Sequence, residues 1–495
     1  MIPFITKKNK SPVSVPPQIL HILKTLQEAG FDSYLVGGCV RDMLSHKTPK
    51  DWDITTQATP EAIQQLFPDS FYTNTFGTVG VKTSTESIGV VEITPFRTEG
   101  IYSDGRRPDH VSFTQDIQED LKRRDFTVNA IAYNPIDDVL IDPFLGQKDI
   151  ENCLIRAVGS GEDRFKEDGL RILRMVRFSA QLGYSLDTDT LAAAITTKET
   201  LSLISKERVR DELIKILLSA NASTAFMYMR TMGILKYISQ YLEDSVNVTQ
   251  NGCHAYDVFE HLIRSMQCAV DKGYSLELRI AALFHDIGKP PTRQWSSEKK
   301  DYTFYGHEVV GAKLTKEILK ELNFSRETIE KVTKLVRWHM FFSDTEQITA
   351  SAVRRMIVNV GRENIWDLMN LRICDRVGTG RPKEDPYRLR KYMSLIEEVM
   401  SDATDVSMLK ISGQDLMDTL HMKPGPIIGK ILNILLEKAL IEPTVNTEDK
   451  LIEEARGLLL LSEDELNQLF LEAIKTKKDT EKERTRTIRK KYKVS

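Results

Sequence analysis

LVGGCVRDMLSHKTPKDWDI, residues 35–54, reads as a strand ending on Gly37-Gly38, a helix that starts at once, and a return to strand around Asp51-Trp52-Asp53. Glycines at a strand-to-helix turn let backbone N–H groups approach phosphate oxygens closely, and a helix N-terminus favours anions. Gly38 opens that helix, and Arg41, one helical step further on, is placed as a phosphate donor. Residues i and i+2 of a strand share a face, so Asp51 and Asp53 are expected to project together. Adjacent carboxylates repel unless a cation lies between them, and oxygen ligands of this kind suit Mg²⁺ bridging to substrate phosphates. A glycine pair or a D-x-D alone is weak; both, in this order, are much stronger.

Outward from this stretch, strand-like runs YLVGG (34–38), WDITT (52–56), GTVGVKT (77–83) and GVVEITPF (89–96) alternate with helical runs PEAIQQLF (60–67) and IQEDLKRRDFTVNAIA (117–132). Residues 18–160 therefore read as a mixed α/β head. After Gly161 the strand signals vanish. One amphipathic helix, EDRFKEDGLRILRMVRFSAQL (162–182), opens an all-α neck and body over 161–245. A loop-like break at 245–254 precedes an all-α block, 246–380. A second break, GTGRPKEDPYR (378–388), leads to a helical region, 386–474, and a tail, 475–495.

The chain has 495 residues, 41% hydrophobic and 28% charged, the composition of an ordinary soluble protein of about three units. No apolar run has the length of a membrane span, and the N-terminal lysines are not followed by the apolar stretch of a signal peptide. Five scattered cysteines without a C-x-x-C pair exclude a disulfide framework or thiolate zinc site and point to a reducing cytoplasm. The net charge of −3 is uneven, since Lys475–Ser495 carries ten basic and three acidic residues. That run reads either as a solvated, partly disordered tail or as a contact for an RNA backbone.

GGCVRD and DWDI, followed by RRDFTVNA (123–130), DPFLGQKD (142–149) and EDGLRILRMVRF (167–178), resemble the class II CCA-adding enzymes. These belong with bacterial poly(A) polymerases to the polymerase-beta superfamily. The resemblance runs over about residues 20–240 with every motif in order. It implies an α/β nucleotidyltransferase head and transfer of a nucleotide to an RNA 3′-hydroxyl, with Asp51 and Asp53 holding Mg²⁺. It also implies that Arg124 contacts the triphosphate, that Asp125 accepts from the ribose 2′-hydroxyl, and that Asp168 and Arg171 read the base. Glu92 is the candidate third carboxylate; the alternative is an edge-strand glutamate facing solvent.

The physics of base choice fits this assignment. Asp168, Arg171, Arg174 and Arg177 follow at i, i+3, i+6 and i+9 on one expected helix, with apolar residues at complementary positions. An ionised Asp only accepts and an Arg only donates. Cytosine and adenine each offer an amino donor beside a ring-nitrogen acceptor, whereas uracil and guanine set an oxygen against the Asp. Unpaired groups in a closed site are costly, so one side-chain pair admits C and A and rejects U and G. The Gly-rich, basic segment RTEGIYSDGRRPDHV (97–111) resembles the intact flexible loop of members that add A. This ranks full CCA addition to tRNA from CTP and ATP first, A-only addition second and poly(A) synthesis third.

A second chemistry follows. Most of the nine histidines fall in 246–380, and LRIAALFHDIGKP (278–290) resembles the core of HD-domain phosphohydrolases. The resemblance implies a metal held by His285, Asp286, Asp375 and a histidine from the preceding helix, His261 in preference to His254. His307 and His339 suggest a second metal. Imidazole with carboxylate suits a divalent transition metal at least as well as Mg²⁺. Trimming of 2′,3′-cyclic or 2′-phosphates from tRNA ends would suit the neighbouring head. A competing class is an HD phosphohydrolase whose head only senses nucleotide, and a third is a non-catalytic RNA-binding protein; two intact head aspartates speak against both. ISGQDLMDTLHMKPGPIIGKILNILLEKALIEP (411–443) resembles the C-terminal helices of the same enzymes, with Lys423 and Lys430 either at an RNA backbone or at plain helix packing.

Overall fold

The computed structural model describes residues 5–7, 14–73, 77–83, 88–100, 110–251, 255–341, 349–380, 386–401 and 406–494. The chain forms two compact units, one of residues 1–337 with 374–380, the other of 338–373 with 381–495.

The first unit begins with β1 (Ile5–Lys7), α1 (Pro17–Glu28), β2 (Ser33–Val36), α2 (Gly38–Leu44), β3 (Asp53–Thr56) and α3 (Pro60–Leu66). Next come β4 (Ser70–Tyr72), β5 (Val79–Lys82), β6 (Val90–Pro95), β7 (Arg97–Glu99), β8 (Val111–Phe113) and α4 (Ile117–Lys122), then β9 (Ala132–Asn134), β10 (Val139–Ile141) and α5 (Gly146–Glu151). Eight strands make one sheet in the order β1-β10-β9-β2-β3-β6-β5-β4. Among the described residues of this sheet, β3 and β6 are the one parallel pair, which sets Asp53 directly beside Glu92. Alternation buries Val91 and Ile93 of β6 and leaves Glu92 on the open face. Apolar residues of α1, among them Ile19, Leu23 and Leu26, are fully buried.

Two expectations fail here for identifiable reasons. Asp51 precedes β3 instead of sharing it, so it reaches Asp53 from a bend and not by strand alternation. The expected helix 117–132 stops at Lys122. Beyond it the backbone of Asp125 and Thr127 bonds across to Val158 and Arg156, and Phe126 is fully buried with its ring edge on Phe178, 5.7 Å between centroids. Tertiary pairing overrides helix periodicity there. Residues 101–109 of the expected flexible loop lie outside the described residues; the flanks pair as β7 and β8, with Glu99 opposite Val111.

The neck carries a third correction. The single helix expected over 162–182 is two, α6 (Gly161–Glu167) and α7 (Leu170–Leu182), broken at Asp168-Gly169. Asp168 is extended at φ −145° and ψ 104°. Gly169 is packed so tightly on Thr200 that a Cβ would lie 2.7 Å from its Oγ1 and 2.8 Å from its carbonyl. A long-range contact therefore cuts the helix.

β11 (Leu154–Ile155) and β12 (Ser185–Leu186) pair beside these helices. α8 (Thr188–Thr197), α9 (Lys206–Leu217), α10 (Ala222–Met232) and α11 (Gln240–Glu243) complete the neck, and α12 (Val258–Asp271), α13 (Leu276–Phe284) and α14 (Lys289–Thr292) follow. The block expected to be all-α then contains a hairpin, β13 (Gln294–Ser296) with β14 (Asp301–Thr303), before α15 (His307–Glu321) and α16 (Arg326–Trp338).

In the second unit, α17 (Ala350–Val360) precedes α18 (Ile365–Gly378), whose last turn, from Cys374, belongs to the first unit. α19 (Tyr387–Ser401) packs on α17 and α23 (Glu463–Lys491), while α20 (Gly413–Leu420), α21 (Pro426–Ile441), α22 (Glu448–Leu458) and α23 pack on buried Leu416, Ile431, Leu435, Leu451 and Leu466. Lys430, in the second turn of α21, donates to Asn467 Oδ1 at 2.5 Å. The basic run is no loose tail: it continues α23, and Arg489 and Lys491 pair with Glu398 and Glu397 of α19 at 3.1 and 2.7 Å. Among the described residues, no helix is long and apolar enough to cross a membrane.

Candidate active site

The turn from β2 to α2 is shaped by Gly37, whose φ of 79° disfavours any residue with a Cβ. A Cβ there would lie 3.4 Å from an Arg124 nitrogen and 3.6 Å from Asp53 Oδ2, so the turn, the guanidinium and the carboxylate meet at one point. Burial pushes the Asp53 carboxyl up to about 6; Arg124 opposes this while Glu92 and Asp51 add to it. Asp53 thus feels two further carboxylates as well as Arg124. Glu92 is not on an edge strand, since β6 lies between β3 and β5.

Beside this cluster runs a chain of hydrogen bonds. Arg41 donates to Asp42 and, at 2.9 Å, to Asn129, whose amide reaches Asp125 at 3.4 Å. Arg174 donates twice to the other Asp125 oxygen, at 2.8 and 2.5 Å. Burial alone would raise the Asp125 carboxyl, but the Arg174 guanidinium outweighs it and holds the group below the usual range. Arg41, Arg174 and Arg177 surround the Phe178 ring at 5.7, 5.4 and 4.1 Å from its centroid, and Arg177 pairs with Glu212 at 2.8 Å.

Asp168 and Arg171 are not paired with each other. Arg208 of α9 grips both Asp168 oxygens, at 3.2 and 2.7 Å, and one of them also caps the Leu170 amide at 3.1 Å. Arg171 donates to Glu167 at 2.5 Å and to the Arg164 and Arg123 carbonyls, both at 3.1 Å. The expected polar stripe is therefore a buried network, with Arg171 and Arg177 each only 8% exposed. Arg208 and Glu212 escaped the sequence reading because they sit on a later helix at ordinary amphipathic positions. Asn129 was within reach, inside RRDFTVNA.

The second centre lies where α12, the end of α13 and the last turn of α18 converge. His261 Nε2 is 2.9 Å from His285 Nε2, 3.1 Å from Asp286 Oδ2 and 3.3 Å from Asp375 Oδ1; His285 Nε2 is 3.4 and 3.6 Å from the same oxygens. Adjacent ligands about 2.1 Å from one divalent ion at right angles are roughly 3 Å apart, so this buried His₂Asp₂ set fits a metal in spacing as well as donor type. His285 Nδ1 lies 2.9 Å from the Ala282 carbonyl, a bond that keeps the Nδ1 proton and would leave Nε2 as the ligand atom once a metal displaces the Nε2 proton. Burial disfavours a charged His285, yet Asp286 and Asp375 outweigh it and lift its pKa to about 10. Lys289 Nζ reaches Asp286 Oδ2 at 2.6 Å, and His307 Nε2 lies 3.2 Å from Asp286 Oδ1. His339, its expected companion, belongs to the second unit, and His254 lies outside the described residues.

Two glycines make the convergence possible. A Cβ on Gly378 would lie 2.1 Å from Ser265 Oγ and 2.9 Å from the His261 carbonyl; one on Gly288 would lie 2.2 Å from the His307 carbonyl and 2.5 Å from the Gly311 nitrogen. Gly288→Ala must therefore push α15 away. We expect a loss of about 1–3 kcal/mol in thermal or urea unfolding, the range of overpacked cores, with weaker metal uptake by calorimetry. An unchanged melting curve would mean that this glycine contact is slack.

Residues 33–156 match the Poly A polymerase head domain, 183–245 the probable RNA and SrmB-binding site of polymerase A, and 258–385 the HD domain. The CCA-adding enzyme of Lactobacillus delbrueckii subsp. bulgaricus is 47% identical over 218 residues, 44% of this chain and 54% of that enzyme, so this match spans about half the relative's length. That of Leuconostoc mesenteroides subsp. mesenteroides is 31% identical over 431 residues, 87% of this chain and 93% of the relative. In fold, the chain is similar to the Bacillus stearothermophilus CCA-adding enzyme solved in complex with CTP, with TM-score 0.57 and 24% identity over 90% of this chain and 98% of that one.

Proposed function

Because this chain belongs to the CCA-adding enzymes and carries an HD domain, we propose that it adds C and A from CTP and ATP to the 3′ end of tRNA without a template. The observation that carries this reading is the cluster of Asp51, Asp53 and Glu92 against the Gly37 turn and Arg124. An all-oxygen donor set suits Mg²⁺, which Asp51 and Asp53 would hold and whose charge would ease deprotonation of the 3′-hydroxyl and steady the departing pyrophosphate. The amides at Gly38, with Arg41 and Arg124, hold the triphosphate. Asp125, fixed by Arg174, accepts from the ribose. Asp168 accepts from the exocyclic amine of C or A while Arg171 donates to the ring nitrogen; Arg208 and Glu167 keep the two oriented. Incubating tRNA that lacks one, two or three terminal nucleotides with each labelled NTP tests this: UTP incorporation, or runs of A, would overturn it.

Asp168→Ala should relax the exclusion of UTP by about 1–3 kcal/mol, the cost of an unpaired buried group, and slow CTP and ATP as well. Arg171→Ala should weaken CTP and ATP with less gain for UTP. Comparing kcat/KM for the three nucleotides checks both, and a strict Asp168→Ala enzyme would remove the base-reading role.

We assign the second centre to phosphoester hydrolysis, with His261, His285, Asp286 and Asp375 as ligands. A divalent ion held there would supply charge to activate water and neutralise the phosphate. The water oxygen bonds to phosphorus, one ester P–O bond breaks, and the leaving oxygen takes the proton. The donor set, two imidazoles and two carboxylates at metal-ligand spacing, supports this reading.

A further inference from the structure

Between the segments carrying Asp286 and His307 the chain makes the hairpin β13–β14, and two aromatic rings at it are left in solvent. Trp295 is 59% exposed and Tyr305, just beyond the hairpin, 72%. Their neighbours hold them in place. Trp295 stands opposite Tyr302 and meets it edge to face with centroids 5.1 Å apart. Arg293 stacks 3.6 Å over the Tyr302 ring and donates to Thr249 Oγ1. Lys299 Nζ donates to the Tyr305 hydroxyl at 2.7 Å.

A two-stranded hairpin is marginal by itself. This one is anchored at both ends by buried residues of the second centre, Lys289 and His307. Tyr305 is two residues from His307, so their Cα atoms are at most about 7 Å apart. Exposed aromatic faces interleaved with cations are what single-stranded nucleic acids stack on, because every base has a π-face and every phosphate a negative charge.

We propose that Trp295 and Tyr305 form a base-stacking platform for the HD centre, the residues by which it selects a nucleoside ester over the same ester without a base. This rests on the phosphohydrolase reading above, and the test separates the two. Hydrolysis of 2′,3′-cyclic AMP is compared with that of ribose 2,3-cyclic phosphate, which presents the same ester without a base. Stacking is worth about 1–3 kcal/mol per base, so Trp295→Ala with Tyr305→Ala should raise the KM for the nucleotide about 5- to 150-fold relative to the abasic ester. Equal changes for both esters would overturn the platform. Independently of turnover, AMP should quench a tryptophan signal that Trp295→Phe abolishes; quenching that survives Trp295→Phe would also overturn it. If the parent hydrolyses neither ester, the phosphohydrolase reading fails and the quenching alone decides the platform. An RNA oligonucleotide ending in a 2′,3′-cyclic phosphate with a KM below that of cyclic AMP assigns an RNA end; an equal KM assigns the free nucleotide.

Discussion

Replacing Asp53 by alanine should lower nucleotide addition to truncated tRNA by about three orders of magnitude or more. Removing a cation ligand forfeits several kcal/mol of charge stabilisation, and each 1.36 kcal/mol is tenfold in rate. Folding should not suffer; it should improve. Asp53 holds its proton more tightly in the folded protein, with a pKa near 6, than in the unfolded chain. Ionising it therefore opposes folding, by nothing below the unfolded pKa of about 4 and fully above about 6. In metal-free buffer, Asp53→Asn should raise Tm at pH 8 and leave it unchanged at pH 4. A site kept at a cost to stability is the mark of a functional carboxylate. Equal Tm for parent and variant at both pH values would mean that the charges around Asp53 are balanced.

The second large effect is expected at Asp286. Its carboxylate faces His261, His285, His307 and Lys289 at once. Asp286→Ala should abolish ester hydrolysis while nucleotide addition stays within about twofold, because the head cluster draws on none of these residues. Leaving Lys289 buried without that partner costs about 3–5 kcal/mol, so Asp375→Asn is the companion variant: it removes a ligand and keeps the shape. Should addition collapse in folded Asp375→Asn, the two centres are not independent.

What could be read from the sequence was what is local. Gly37-Gly38, Arg41 and the two aspartates lie within one short stretch, and strand–turn–helix geometry follows from adjacent residues. The interruption at Asp168-Gly169 was masked by the continuous helical spacing of the apolar residues over 162–182; the Asp-Gly pair is the one local sign of a break, and the contact with Thr200 that fixes it lies in another turn. Arg208 was hidden for the same reason, its role existing only once α9 packs beside α7. The β13–β14 hairpin was missed because three-residue strands bounded by lysines and serines give no alternation to detect. His285-Asp286 was visible through the resemblance of its surroundings, whereas the glycines that let the ligands converge, Gly288 against Gly311 and Gly378 against Ser265, become meaningful only in three dimensions.

The route of the chain to Asp375 has its own thermodynamic consequence. After Arg337 the polypeptide leaves the first unit, and it returns at Cys374. An ion bound by Asp286 and Asp375 together would close a loop of about ninety residues, within which 338–373 is the excursion. It acts as a non-covalent crosslink whose entropic benefit grows with the logarithm of the loop it closes. Metal occupancy would then be legible far from the phosphoester chemistry, as a slower cleavage of the excursion by a protease that needs it to open.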